Sequence, residues 1–125
     1  MKLRFVKPQI TSGAIKCTIH KNGKLGFSQA AVDKLKISED SFVKIAVNDT
    51  DKDDVNLYML VINEQIDDVF KVSKAGNYYY VNTRLLFDEM SIDYSKKKII
   101  YDIVEIEYEG QKIYKLLRRE LDRNL

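Results

Sequence analysis

The chain has 125 residues, 45% of them hydrophobic and 32% charged, with one cysteine, one histidine and a formal net charge of +2. That length and balance describe one folded domain with an apolar core and exclude a disordered chain. The near-neutral charge excludes a protein built to coat nucleic acid, while a local basic patch stays compatible with it.

The first ten residues carry Lys2, Arg4 and Lys7 and no apolar stretch of signal-peptide length. Nothing along the chain approaches the roughly 20 apolar residues that span a bilayer. A lone cysteine closes no disulfide within the chain and points to a reducing compartment, so a cytoplasmic protein is expected. Ala14 to His20 alternates Ile15, Cys17 and Ile19 against Lys16, Thr18 and His20, a strand with one solvated face. Cys17 reads as an apolar filler there. Asn22-Gly23 is a tight-turn centre, and Leu25-Gly26-Phe27 returns as a short strand. Ser28 is placed to cap a helix over Gln29 to Leu35, with Val32 and Leu35 on one face. Phe42 to Val47 and Leu57 to Ile62 read as strands around an acidic tip, Asn48 to Asp54. The tip lacks the glycine and closing glutamate of a calcium loop, so a solvated turn is expected.

Residues 63–69 read as a connector, and the order of elements then recurs. Phe70 to Ser73 and Tyr78 to Val81 are strands about the turn Lys74 to Asn77. Asn82 is placed to cap a helix over Thr83 to Met90. Ile99 to Glu107 and Lys112 to Arg118 close the pattern, and Leu117 and Leu121 suggest a short amphipathic helix in the tail, Leu116 to Leu125. Lys21-x-Gly23 matches Lys74-x-Gly76, and Leu35-x-Ile37 matches Met90-x-Ile92. The expected fold class is therefore α+β, a single domain over 1–125. It would consist of two tandem β-β-α-β-β units, roughly 14–62 and 70–118, with mostly antiparallel strands, short helices and one shared core.

Residues 21–45, from Lys21-Asn22-Gly23-Lys24 through Leu35-Lys36-Ile37 to Lys44-Ile45, resemble the AbrB/MazE swapped-hairpin family. Residues 74–101 match it more loosely. The resemblance implies a DNA-binding, transcription-regulator-like protein, with Lys24 at the basic position after the turn glycine. Gln29 stands where the family usually has proline, and Asn77 where it has a base. The alternation of strands and helices also looks like the Whirly family, which binds single-stranded DNA on a sheet.

Catalysis is not expected. A triad around the lone His20 would need partners that the sequence does not mark, one histidine and one cysteine cannot supply a zinc site of N and S ligands within one chain, and the five glycines are scattered rather than gathered into a phosphate loop. No cofactor is expected. The candidate nucleic-acid-binding residues are Lys16, Lys21 and Lys24 around the first turn and Lys71 and Lys74 around the second, as two matching patches facing duplex or single-stranded DNA. Lys96, Lys97, Lys98, Arg118, Arg119 and Arg123 extend the surface. In Tyr78-Tyr79-Tyr80, alternation puts Tyr78 and Tyr80 on one face, and matching Phe27 to Tyr80 makes that the core side and leaves Tyr79 outside, where it could stack on a base. A homodimer is compatible with this reading. The alternative is a protein-interaction module whose exposed strand edges pair with a partner or a second copy.

Overall fold

The computed structural model describes residues 1–5 and 13–123, so the expectations for residues 6–12 and the last two residues of the tail lie outside it. Eight strands form, β1 (Lys16–Ile19), β2 (Leu25–Phe27), β3 (Phe42–Ala46), β4 (Leu57–Ile62), β5 (Phe70–Ala75), β6 (Tyr78–Val81), β7 (Lys97–Tyr108) and β8 (Gln111–Asp122). Two helices interrupt them, α1 (Gln29–Leu35) and α2 (Arg84–Glu89). All pairings are antiparallel, and the sheet closes into a barrel in the order β1-β2-β6-β5-β3-β4-β8-β7.

This corrects the expected fold class. Strand makes up 45% of the structure and helix 11%, so the protein is nearly all-β and not α+β. The two β-β-α-β-β units do not exist as units either. The β1–β2 hairpin is flanked by β6 and β7, and the β3–β4 pair by β5 and β8. Hairpins from the two halves therefore alternate around the barrel, and each half's open edges are satisfied only by strands of the other. A sheet edge left unpaired is a liability, and closure removes it. The helices are too short to form a layer: α1 buries Ala31, Val32 and Leu35, and α2 buries Phe87 alone.

The interior is filled by alternate residues of every strand, as the two-residue strand period dictates. Cys17 and Ile19, Leu25 and Phe27, Val43, Leu57 and Met59, Val72, Val81, Ile99, Tyr101 and Ile103, and Leu116 make one cluster with the helix residues. Ser28 ties the start of the first half together. Its Oγ accepts from the backbone N–H of Ala31 and of Lys16, each at 3.2 Å, and donates to the carbonyl of Ala14 at 2.8 Å. The cap of α2 falls on Thr83, not Asn82, and makes no side-chain capping bond. Instead the buried Thr83 Oγ1 donates to the carbonyl of Gly23 at 2.9 Å, which seats the first turn on the start of α2.

The tail is also corrected. Leu117 and Leu121 belong to β8, whose ladder with β7 runs from Lys97–Asp122 to Tyr108–Gln111. Twelve paired residues outweigh one isolated helical turn, which is costly to nucleate.

Candidate nucleic-acid interface

The buried Val81 fixes the facing of β6. Tyr79 shares its side and packs against the core, while Tyr78 and Tyr80 point outward. The facing expected for the tyrosine run is thus reversed. The signal that could have found it is Val81 itself, the one aliphatic residue of the strand.

On the outer wall Tyr80 lies opposite Gly26, Gly26 opposite Thr18, Thr18 opposite Ile100, and Ile100 opposite Arg119. The rings of Tyr78 and Tyr80 stack with centroids 6.2 Å apart and planes 22° from parallel. The glycine at position 26 is what lets Tyr78 lie across the wall. A Cβ there would collide with Tyr78 Oη and come within 2.6 Å of His20 Nε2. Tyr78 Oη is hydrogen-bonded to His20 Nε2, and the two rings meet edge to face at 5.4 Å. Lys24 Nζ stands 4.7 Å over the Tyr80 ring, within cation–π range.

Further cations continue this wall. The β1–β7 register that pairs Ile19 with Ile99 carries on to put Lys98 beside His20, and Lys16 is the next outward residue before Thr18 on β1. Burial, then Arg123 and Lys98, push the pKa of His20 below its ordinary value, so the ring is neutral near pH 7. Along these strands Asp102 is the outward carboxylate, and Arg119 holds it through Nε at 2.5 Å and Nη2 at 3.1 Å. Lys16, Lys21, Lys24 and Lys98 have no carboxylate within ion-pair distance among the described residues.

The other expected cations, apart from Lys96, are engaged. Lys71 Nζ donates to the Glu39 carbonyl at 2.7 Å and sits 4.7 Å over Phe42. Lys74 Nζ lies 3.9 Å from the Glu39 carboxylate and 5.5 Å over Tyr79. Lys97 pairs with Asp122, Arg118 with Glu120, and Arg123 donates to the carbonyls of Ile19, Tyr94 and Lys97. Lys24 and Lys74 therefore cover successive tyrosines on opposite faces of β6. Lys16 lies at the start of β1 and Lys21 and Lys24 in the turn at its other end, while Lys71 and Lys74 lie on β5 against Glu39, so the two expected groups are held by different surroundings. What the sequence reading missed are Tyr78, Tyr80 and the seat that Gly26 provides.

Elsewhere the chemistry is quiet. The Cys17 thiol is fully buried, and burial, then the charge of Asp102, pushes its pKa far up, away from a reactive thiolate. Among the described residues no three of His, Cys, Asp and Glu gather in metal-binding geometry, and no helix is long and apolar enough to cross a membrane. No protein family, curated protein or solved structure matches the chain.

Proposed function

We propose that the protein is a non-catalytic nucleic-acid-binding module that takes a single strand on the outer wall of β6, β2, β1 and β7. The observation that carries this reading is the outward Tyr78–Tyr80 stack with the Lys24 ammonium over it, on a wall whose carboxylate is already neutralised by Arg119. Aromatic rings on a sheet face offer stacking worth about 1–3 kcal/mol per base, and they do so only for bases that are unstacked. A duplex hides its base faces, which favours a single strand over double-stranded DNA. Lys16, Lys24 and Lys98 flank the rings where a backbone would pass. The transcription-regulatory role implied by the AbrB/MazE resemblance of residues 21–45 rests, within this proposal, on the same wall. A cytoplasmic setting, where opened DNA and RNA are both met, belongs to the same proposal.

The test is an anisotropy titration with a labelled single-stranded oligonucleotide of mixed sequence, repeated over a salt series. Three phosphates neutralised on a single strand predict a slope of log affinity against log salt of about −2. Tyr80→Leu should weaken binding while leaving that slope in place, because it removes stacking and no charge. A flat salt dependence, or equal affinity of Tyr80→Leu and the native chain, sinks the reading.

A further inference from the structure

The β7–β8 hairpin outruns the barrel, and among the described residues β7 leaves a free edge. The β1–β7 ladder ends at Lys16–Asp102, with one more bond from Ile103 N–H to the Ile15 carbonyl at 2.9 Å. Gly13 and Ala14 then turn away toward α1: the Ala14 carbonyl is taken by Ser28 Oγ, and a Cβ on Gly13 would lie 3.9 Å from Ala30 Cβ. Among the described residues nothing pairs with β7 from Val104 to Tyr108 on that side. Because Ile103 N–H points off this edge, the strand period directs the N–H and C=O of Glu105 and Glu107 the same way, while Val104, Ile106 and Tyr108 bond to β8.

The two faces of this free strand are chemically distinct. Val104, Ile106 and Tyr108 form an apolar row, with Val104 and Tyr108 39% and 58% exposed. The row borders a groove lined by Tyr108, Ile113, Tyr58 and Ala46. Lys115, opposite Val104 on that face, is turned over the Tyr58 ring at 5.8 Å. Glu105 and Glu107 form the other row; Lys112 pairs with Glu105 at 3.3 Å, and Glu107 has no ion pair among the described residues.

We propose that this edge binds an extended peptide whose side chains alternate apolar and basic, added to β7 as a further strand. Main-chain bonds to Glu105 and Glu107 supply affinity, and the two rows select the sequence. Directly opposed residues of an antiparallel pair share a face, so apolar side chains would meet Val104, Ile106 and Tyr108, and basic ones would meet the glutamates. A second copy of β7 fits poorly. A twofold at Ile106 sets Glu105 against Glu107 of the other copy, and one at Glu105 sets that residue against itself. Any register between residues puts a carboxylate on the apolar row.

The experiment uses three labelled octapeptides on the full chain: alternating Val and Lys, alternating Val and Glu, and the first composition rearranged into a Val block and a Lys block. The alternating Val/Lys peptide should bind at least tenfold more tightly than either control and slow amide exchange at Glu105 and Glu107. Glu107→Pro should abolish binding, since it removes an edge N–H without touching the β8 ladder. Glu107→Lys, which keeps that N–H, should shift preference toward the Val/Glu peptide. Equal binding of the block peptide, unchanged exchange at both glutamates, or undiminished binding by Glu107→Pro overturns the proposal. So does a free chain that sediments as a dimer and becomes monomeric with Glu107→Pro.

Discussion

The two lysine-bearing turns look alike in sequence and rest on different ground. Gly23, at φ +83°, is buried, and a Cβ there would lie 2.8 Å from both Cβ and Cγ of Arg84. Gly76, at φ +60°, has nothing within 4 Å of the same added atom. The first turn is clamped between β2 and α2, which holds Lys24 over an outward tyrosine. The second stands in solvent, and its strand's lysines lean on Glu39. Matching turn residues thus specify matching backbones and say nothing about what the side chains reach.

The largest effect should fall on that clamp. Gly23→Ala meets both a left-handed backbone and a blocked Cβ, and should destabilise the fold by about 3 kcal/mol. Gly76→Ala meets only the backbone term, about 1 kcal/mol. Urea denaturation of both variants measures the difference, and equal losses would remove the asymmetry. Next comes Thr83→Val, which strands the Gly23 carbonyl in a buried site at a cost of about 2 kcal/mol. Below it in size is the binding contrast: Lys24→Glu should weaken single-strand affinity about tenfold, or about 1.4 kcal/mol, with Lys74→Glu changing it less than about twofold because its ammonium already faces Glu39. Thermal melts should place Lys24→Glu within a degree or two of the native chain.

Much of this barrel was legible one strand at a time. Period-two runs such as Ile15-Cys17-Ile19, the Asn22-Gly23 turn and the Ser28 cap are local chemistry, and local chemistry can be read from neighbours. Which hairpin lies beside which is decided by edges some 50 residues apart, and no window over Leu25 to Phe27 reveals that Val81 will sit opposite Leu25. The fold class failed for that reason: two short helices and a recurring element order read as tandem β-β-α-β-β units, whereas the strands pair across the halves into one nearly all-β barrel. The tyrosines failed for a narrower one. Matching Phe27 to Tyr80 in sequence set the wrong residue inward, whereas in the sheet Phe27 lies opposite Tyr79. Lys71 and Lys74 read as free cations because Glu39, their partner, is more than 30 residues away in the chain.

The smallest expected effect is the most discriminating, because it carries opposite signs in two measurements. His20 stands beside the first turn, bonded to Tyr78 and facing Lys98 and Arg123, with its backbone N–H bonded to the Lys24 carbonyl at 2.9 Å. No histidine flanks the second turn. Burial and those cations hold the folded pKa below its usual 6.5, so the unfolded chain takes up the proton first. Stability is therefore fully present above about pH 6.5 and declines as the pH falls toward the folded value. Binding goes the other way. A protonated His20 adds a cation to the wall beside Tyr78, so phosphate contacts gain as the fold loosens. Between pH 7.5 and 5.5 the native chain should lose a little melting temperature and gain single-strand affinity, while His20→Gln should show neither trend. If both trends survive in His20→Gln, the pH response belongs to another group, and the first turn loses its claim to be the half of the comparison that senses the ligand.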